Sequence, residues 1–176
     1  MVPALAVAIF YSKIVPAAQI EAPLLFGQPL LQKMLVALLH PGIPARDVFL
    51  HPVGRAAWVG LFATALNLLP AGQLDGGHVI YALASKHHRR ISAIVAACMM
   101  SLGLTALVAH RLGWPPGLFW EGWLMWGALL LLFGFRHPML LDRWQPLDRK
   151  RRVWAGIALV IFLLCFMLVP LAEQQP

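Results

Sequence analysis

Charged residues are scarce in this sequence. Only 12% of the 176 residues are charged and 60% are hydrophobic, whereas soluble domains have about 25% charged and about 45–50% apolar residues. This composition excludes an ordinary water-soluble fold. It predicts an integral membrane protein that has the lipid bilayer as a partner. The length suits about five spanning helices of about 20 residues each. We therefore expect a single transmembrane domain over 1–176, with no room for a separate soluble domain.

Cysteines are scarce as well. The two that are present, Cys98 and Cys165, each lie inside an apolar run, where a thiol usually acts as a small hydrophobic group. This count excludes a disulfide framework and a CxxC metal site. The sequence also has no internal repeat and no low-complexity tract.

Acidic residues are half as frequent as basic ones, and the formal net charge is +7. The basic residues flank apolar runs and are not interleaved with aromatic residues on one face, so the charge does not indicate a nucleic-acid partner. The distribution of basic residues instead indicates the membrane topology, because cytoplasmic loops carry an excess of Lys and Arg. Loops 86–90 and 136–152 are predicted to be cytoplasmic. The basic run 149–152 could also hold anionic lipid, although orientation alone explains it.

The hydrophobic pattern predicts an all-α, polytopic transmembrane bundle of about five spans. The first apolar stretch, 1–18, is short for a span, and 30–40 is expected to be an interfacial helix. The other predicted spans are 55–84, 91–109, 118–135 and 153–171. The 55–84 span is longer than a bilayer needs, and we expect it to be broken at Pro70–Asp75, because proline removes a helical hydrogen bond.

Asp75 is the ionisable residue that stands out, because it lies within this broken span. A carboxylate at membrane depth is costly, by about 2.5–3.5 kcal/mol, and indicates a functional site. A helical path places it about 15 Å below the cytoplasmic surface. The alternative is structural, since Asp-Gly and Gly-Gly pairs are common in turns. Spacing alone leaves both interpretations open.

The combination Asn67-x-x-Pro70-x-x-x-x-Asp75-Gly76 resembles the second signature of the site-2 proteases, peptidase family M50. The similarity extends to His51-Pro52 and to the later segments 136–138 and 146–149. Together these resemble the carboxyl-terminal half of the bacterial and chloroplast branch that includes the EGY (ethylene-dependent gravitropism-deficient) proteases. The chain is thus expected to be the carboxyl-terminal portion of a larger protease in a bacterial cytoplasmic membrane.

The resemblance implies an intramembrane zinc metalloprotease that cleaves membrane-embedded or membrane-proximal segments of other proteins. In that family two histidines and the glutamate of an HExxH helix act with the aspartate of the second signature. Asp75 would be the third zinc ligand and Asn67 would line the substrate cleft. His78, three residues after Asp75, would either support that carboxylate in the outer shell of the site, as partners of metal ligands commonly do, or line the cavity.

The sequence departs from the family because it contains no HExxH. Its histidines are His40, His51, His78, His87, His88, His110 and His137, and no two are four residues apart. This chain therefore offers no catalytic residue of that helix and is expected to be inactive alone. His87 and His88 are predicted to be loop residues.

Two other functions remain open. One is a non-catalytic membrane protein of the same fold that acts as a partner or regulator. The other is an ion-handling transporter subunit, in which a broken helix with a buried aspartate forms a cation site. Serine and aspartyl intramembrane proteases are disfavoured, since no GxSxG turn is present and Asp75 is the single aspartate predicted inside a span.

Overall fold

A computed structural model describes residues 1–16, 24–114, 119–133 and 148–173 of the chain. Within these residues the protein is mostly helical, as predicted, and contains four short strands that were not predicted. Two compact units are formed, Met1–Ala65 with Leu163–Pro176, and Leu66–Phe162. They are described separately below, and the single-domain expectation stays a prediction.

The first unit contains two helices, a third helix up to Ala65, and all four strands. The helices are α1 (Val2–Phe10), α2 (Leu30–Leu39) and α3 (Pro52–Asn67), and a 3-10 turn spans Ala45–Asp47. Strand β1 (Lys13–Ile14) pairs antiparallel with β3 (Val48–Phe49), and β2 (Leu24–Phe26) pairs antiparallel with β4 (Leu171–Glu173). In the second ladder Leu25 lies opposite Ala172. The buried core comprises Leu5, Ile9, Val36, Val48, Leu50, Ala57, Leu61, Ala65 and Cys165.

The second unit contains α4 (Asp75–Ala84), α5 (His88–Arg111), α6 (Gly122–Phe133) and most of α7 (Arg149–Cys165). Helices α5 and α6 pack closely through small residues. A Cβ added to Gly103 would lie 2.5 Å from the backbone nitrogen of Leu124, and one added to Gly127 would lie 2.9 Å from Met100. Close backbone approach at small residues is typical of helix pairs in membranes.

The predicted spans are confirmed in part. The break inside 55–84 is present, since α3 ends at Asn67 and α4 begins at Asp75. The 91–109 span corresponds to α5, the one helix of the described residues that is long and apolar enough to cross a membrane. The predicted helix over 30–40 is observed as α2, and both α2 and α6 are shorter apolar helices. The number of spans stays a prediction.

Three predicted boundaries were wrong. The span predicted over 153–171 ends at Cys165, and Leu171 enters strand β4 instead. Pro170 disfavours helical conformation at Val169, directly before it, and nothing in the structure explains why α7 already ends at Cys165. The basic segments also differ from prediction: residues 149–152 form the first turn of α7, and His88, Arg89 and Arg90 belong to α5. Residues 136–147 of the second predicted loop lie outside the described residues.

The indole of Trp58 connects separate segments of the first unit through a hydrogen bond and a ring contact. Its Nε1–H donates to the carbonyl oxygen of Gly27 at 2.6 Å, and the Gly27 N–H donates to the Pro170 carbonyl at 2.6 Å. The indole also packs edge-on against Phe26, with ring centroids 4.9 Å apart. Trp58 thus connects α3 to the peptide that follows β2.

Replacing Trp58 with phenylalanine is expected to destabilise the protein, because the half-buried Gly27 carbonyl loses its indole donor. A lost buried hydrogen bond costs about 1–3 kcal/mol. The measurement is denaturant unfolding in detergent micelles. Trp154→Phe is the matched control, because Trp154 is 68% exposed whereas Trp58 is 2% exposed. Equal stability losses in the two variants would contradict the assigned role.

Candidate functional site

The break between α3 and α4 is a tight sequence of turns over residues 68–74. The Leu69 N–H donates to the Leu66 carbonyl at 3.2 Å, and the Ala71 N–H donates to the Leu69 carbonyl at 2.7 Å across Pro70. Gly72 has a φ of 57°, a left-handed conformation that glycine adopts without steric cost. Pro70 and Gly72 therefore end one helix and redirect the chain into the next.

Gly72 is held from α5 by two buried side chains. Its N–H donates to the Ser92 hydroxyl oxygen at 3.0 Å, and its carbonyl accepts from Nε2 of His88 at 3.1 Å. Ser92 and His88 are 0% and 2% exposed. They are four residues apart on α5 and so lie on the same helical face. We call this arrangement the Gly72 clamp.

The clamp answers a physical requirement of a broken helix. Backbone N–H and C=O groups that are buried outside regular secondary structure must find hydrogen-bonding partners within the protein. The backbone N–H and C=O of Gly72 are both buried, and they find such partners in Ser92 and His88, respectively. The ring of Tyr81, on α4, packs edge-on against His88 with centroids 5.4 Å apart. The break is thus a defined structure supported by α5.

Gly76 and Gly77 bring the start of α4 against the turns. A Cβ on Gly76 would collide with the carbonyl oxygens of Leu68 and Leu69, and one on Gly77 with those of Ala71 and Gly72. Both glycines are buried. Hence the two glycines after Asp75 allow backbone-to-backbone contact, and this contact fixes where Asp75 lies relative to the break.

Asp75 is the first residue of α4, with an exposed side chain. The positive end of the helix dipole stabilises a carboxylate in this position. Asn67 is the last residue of α3, and His78 lies in the first turn of α4, both also exposed. All three predicted site residues therefore flank one break. Their roles as ligand, cleft residue and outer-shell support stay predictions.

His88 and Ser92 are the residues that the sequence analysis missed. The loop assignment of His88 was wrong, because it begins α5 and is buried under the break. The requirement that freed backbone groups be paired gives a usable signal. A serine and a histidine four residues apart at the start of the next apolar span are suitable partners for an interrupted helix.

The described residues do not complete a zinc site. Within 1–16, 24–114, 119–133 and 148–173, no group of three or more His, Cys, Asp and Glu side chains could hold a metal ion. Zinc sites in proteins use three or four protein ligands. Asp75 can supply one of them, so the remaining ligands would have to come from elsewhere.

Comparison with known proteins identifies the family. The profile of Peptidase family M50 matches residues 13–110, which include the break, both of its glycines and the clamp. The chain belongs to peptidase family M50. This assignment confirms the resemblance that Asn67, Pro70 and Asp75 carry.

Individual relatives place this M50 chain near the EGY proteins. It is 30% identical to "Probable zinc metalloprotease EGY1, chloroplastic" of Arabidopsis thaliana, over 91% of this chain and 27% of the relative. The rice (Oryza sativa subsp. japonica) EGY1 is 28% identical over 91% of this chain and 24% of its own. "Probable zinc metallopeptidase EGY3, chloroplastic" of Arabidopsis thaliana is 25% identical over 74% of this chain and 20% of the relative.

The chain thus spans about a quarter of the length of these EGY1 relatives. No solved structure matches it. The three relatives are plant proteins named chloroplastic, so the expected bacterial cytoplasmic membrane stays a prediction without support from them.

Proposed function

We propose that this M50 chain forms part of an intramembrane zinc metalloprotease and contributes Asp75 as one ligand of the metal. The observation that carries the proposal is the position of Asp75. It is the first residue of α4, immediately after a break whose buried Gly72 is held by Ser92 and His88. The break lies within the M50 match. The names of the EGY relatives support zinc as the metal.

The chain's own residues would act by placing and exposing a carboxylate. Gly76 and Gly77 lack a Cβ and so allow the start of α4 to contact the backbone of the turns. The Gly72 clamp holds those turns to α5. Asp75 remains exposed at the amino terminus of α4. When bound, zinc lowers the pKa of its water and polarises a carbonyl. The histidine ligands and the general base would come from an HExxH segment that this chain does not contain.

Asn67 is suited to contact a peptide substrate. Its exposed amide lies at the end of α3, at the opposite end of the break from Asp75. An amide can donate to a carbonyl oxygen and accept from an N–H, as an extended backbone requires. The proposed substrate is a membrane-embedded segment that unwinds locally, because a helical backbone already uses its own hydrogen-bonding groups.

The proposal also includes the membrane arrangement. Helix α5, with 24 residues, supports at least one crossing. The remaining spans of the five-span bundle, and the cytoplasmic position of 86–90 and 136–152, rest on the apolar pattern and the charge distribution.

The test is zinc content in an assembly that has an HExxH segment. In a chimera in which this chain replaces the matched portion of Arabidopsis EGY1, we expect about one zinc ion per molecule, as in single-zinc hydrolases. Asp75→Asn should weaken zinc binding by at least about tenfold, because even outer-shell partners change affinity by about 10–100-fold. Zinc is measured by mass spectrometry after dialysis against graded chelator, and cleavage of a reconstituted single-span substrate is the second readout.

The matched control is Asp148→Asn. It removes the same charge from an exposed carboxylate that caps α7 through the Arg151 N–H at 2.7 Å, and asparagine caps helices equally well. This variant should keep its zinc. Undiminished zinc in Asp75→Asn, in a chimera that binds zinc, would contradict the ligand assignment. The 176-residue chain alone is expected to bind less than one zinc per chain, and tight stoichiometric binding would contradict our count of ligands.

A further inference from the structure

The amino-terminal turn of α7 carries four consecutive basic residues, Arg149, Lys150, Arg151 and Arg152, all exposed. Successive helical residues are about 100° apart, so four of them cover about 300° of the circumference. They therefore surround the helix axis instead of occupying one face. We call this ring of charges the α7 collar.

The collar has an unfavourable charge environment within the described part of the chain. Cations at a helix amino terminus are opposed by the helix dipole, and the four also repel one another. Asp148 accepts a hydrogen bond from the Arg151 N–H. The ion pairs between described residues join Arg46 to Asp47 and His110 to Glu121, and neither involves the collar. An external anion would relieve this environment.

Apolar surface begins directly after the collar. Val153 is 56% exposed and Trp154 is 68% exposed. Further along α7, Leu159, Val160 and Leu163 are each more than half exposed. Tryptophan is enriched where a protein crosses from hydrocarbon to headgroups. If this apolar surface lies in hydrocarbon, the collar lies at the depth of the lipid phosphates.

We propose that the α7 collar binds the phosphate-bearing headgroups of anionic phospholipids. This rests on the proposed membrane placement of α7, not on the zinc ligand. Backbone N–H groups at a helix amino terminus and surrounding guanidinium groups are both suited to phosphate. Membrane orientation requires only an excess of basic residues on one side of the membrane. A continuous collar next to an exposed tryptophan goes beyond that requirement and is suited to select anionic lipids.

The experiment uses the full chain in nanodiscs that contain equal amounts of phosphatidylcholine and phosphatidylglycerol. The protein is released from the nanodiscs, and native mass spectrometry then measures which lipids stay bound to it. We expect phosphatidylglycerol to be enriched about fivefold or more over phosphatidylcholine, since each basic residue near an anionic surface strengthens binding by roughly fivefold. The enrichment should fall as salt is raised.

Two charge-matched variants separate a collar from general charge. Replacing residues 149–152 with glutamine should abolish the enrichment. Replacing Lys86, Arg89, Arg90 and Arg111 with glutamine removes the same number of exposed charges and should preserve most of it. Circular dichroism is used to check that both variants are folded. Asp75→Asn should retain the enrichment, which separates this proposal from that of the zinc ligand.

Three results would overturn the proposal. If the wild-type chain showed no enrichment of phosphatidylglycerol, the basic run would serve membrane orientation alone. Equal losses in the two glutamine variants would mean that net charge is responsible. Displacement of phosphatidylglycerol by millimolar inorganic phosphate would mean that the collar is a site for free phosphate and not for lipid.

Discussion

Gly77→Ala is expected to lower the free energy of unfolding by at least about 3 kcal/mol, the upper end of the range for overpacking in a filled interior. The added Cβ would meet the carbonyl oxygens of Gly72 and Ala71, and these belong to backbone that cannot rotate away as a side chain can. Gly72 is itself held by His88 and Ser92, so the turns cannot retreat without breaking the clamp. Unfolding in detergent micelles, followed by denaturant titration, measures the loss.

Gly156→Ala is the control for this substitution. Gly156 lies within α7, and a Cβ there would meet nothing within 4 Å, so the change should be neutral or stabilising by about 1 kcal/mol through helix propensity. Gly76→Ala should resemble Gly77→Ala, because its Cβ would meet the carbonyl oxygens of Leu68 and Leu69. If Gly77→Ala were as stable as Gly156→Ala, the packing of α4 against the turns would be wrong.

The break could be predicted from local sequence because its causes are local. Pro70 removes a helical donor, and Gly72 permits a positive φ. Both effects act wherever the residues stand. The long apolar run that became α5 was equally readable, since length and composition alone define a candidate span. Asp75 followed from the cost of a carboxylate in an apolar segment.

The supports of the break could not be predicted in the same way. His88 follows a basic, polar stretch and looks like a loop residue, yet it begins α5 because α5 packs beneath the turns. Strand β4 was missed for a related reason. Leu171 pairs with Phe26, a residue far away in sequence, and no periodicity in 163–173 shows that such a partner exists.

The proposed zinc site was predictable only as far as one candidate ligand. Asp75 belongs to a motif within this chain, and the structure keeps its side chain exposed at the break. The other ligands of an M50 site lie on an HExxH helix absent from this sequence. A site assembled from distant segments cannot be completed from one of them, because zinc affinity depends on the full set of donors.

The two hydrogen bonds of the Gly72 clamp are expected to stabilise the break. Ser92→Ala leaves the buried Gly72 N–H without its acceptor, and His88→Ala leaves the carbonyl without its donor. Each change should destabilise the break by about 1–3 kcal/mol, the usual cost of an unsatisfied buried polar group. Hydrogen exchange at the Gly72 amide is the most direct readout, and we expect it to accelerate in both variants before the rest of α5 is affected. The double variant should cost less than the sum, because the two side chains hold one residue.

Matched controls for both substitutions lie on the same helix. Ser101 donates to the carbonyl of Cys98 within α5 at an exposed position, and the exposed His110 is near the other end. Ser101→Ala and His110→Ala should leave exchange at Gly72 unchanged. His88→Gln, which retains a side-chain N–H donor, should restore part of the protection lost in His88→Ala. Equal exchange at Gly72 in Ser92→Ala and Ser101→Ala would show that the turns are held by packing alone, and the role assigned to the hydroxyl would be wrong.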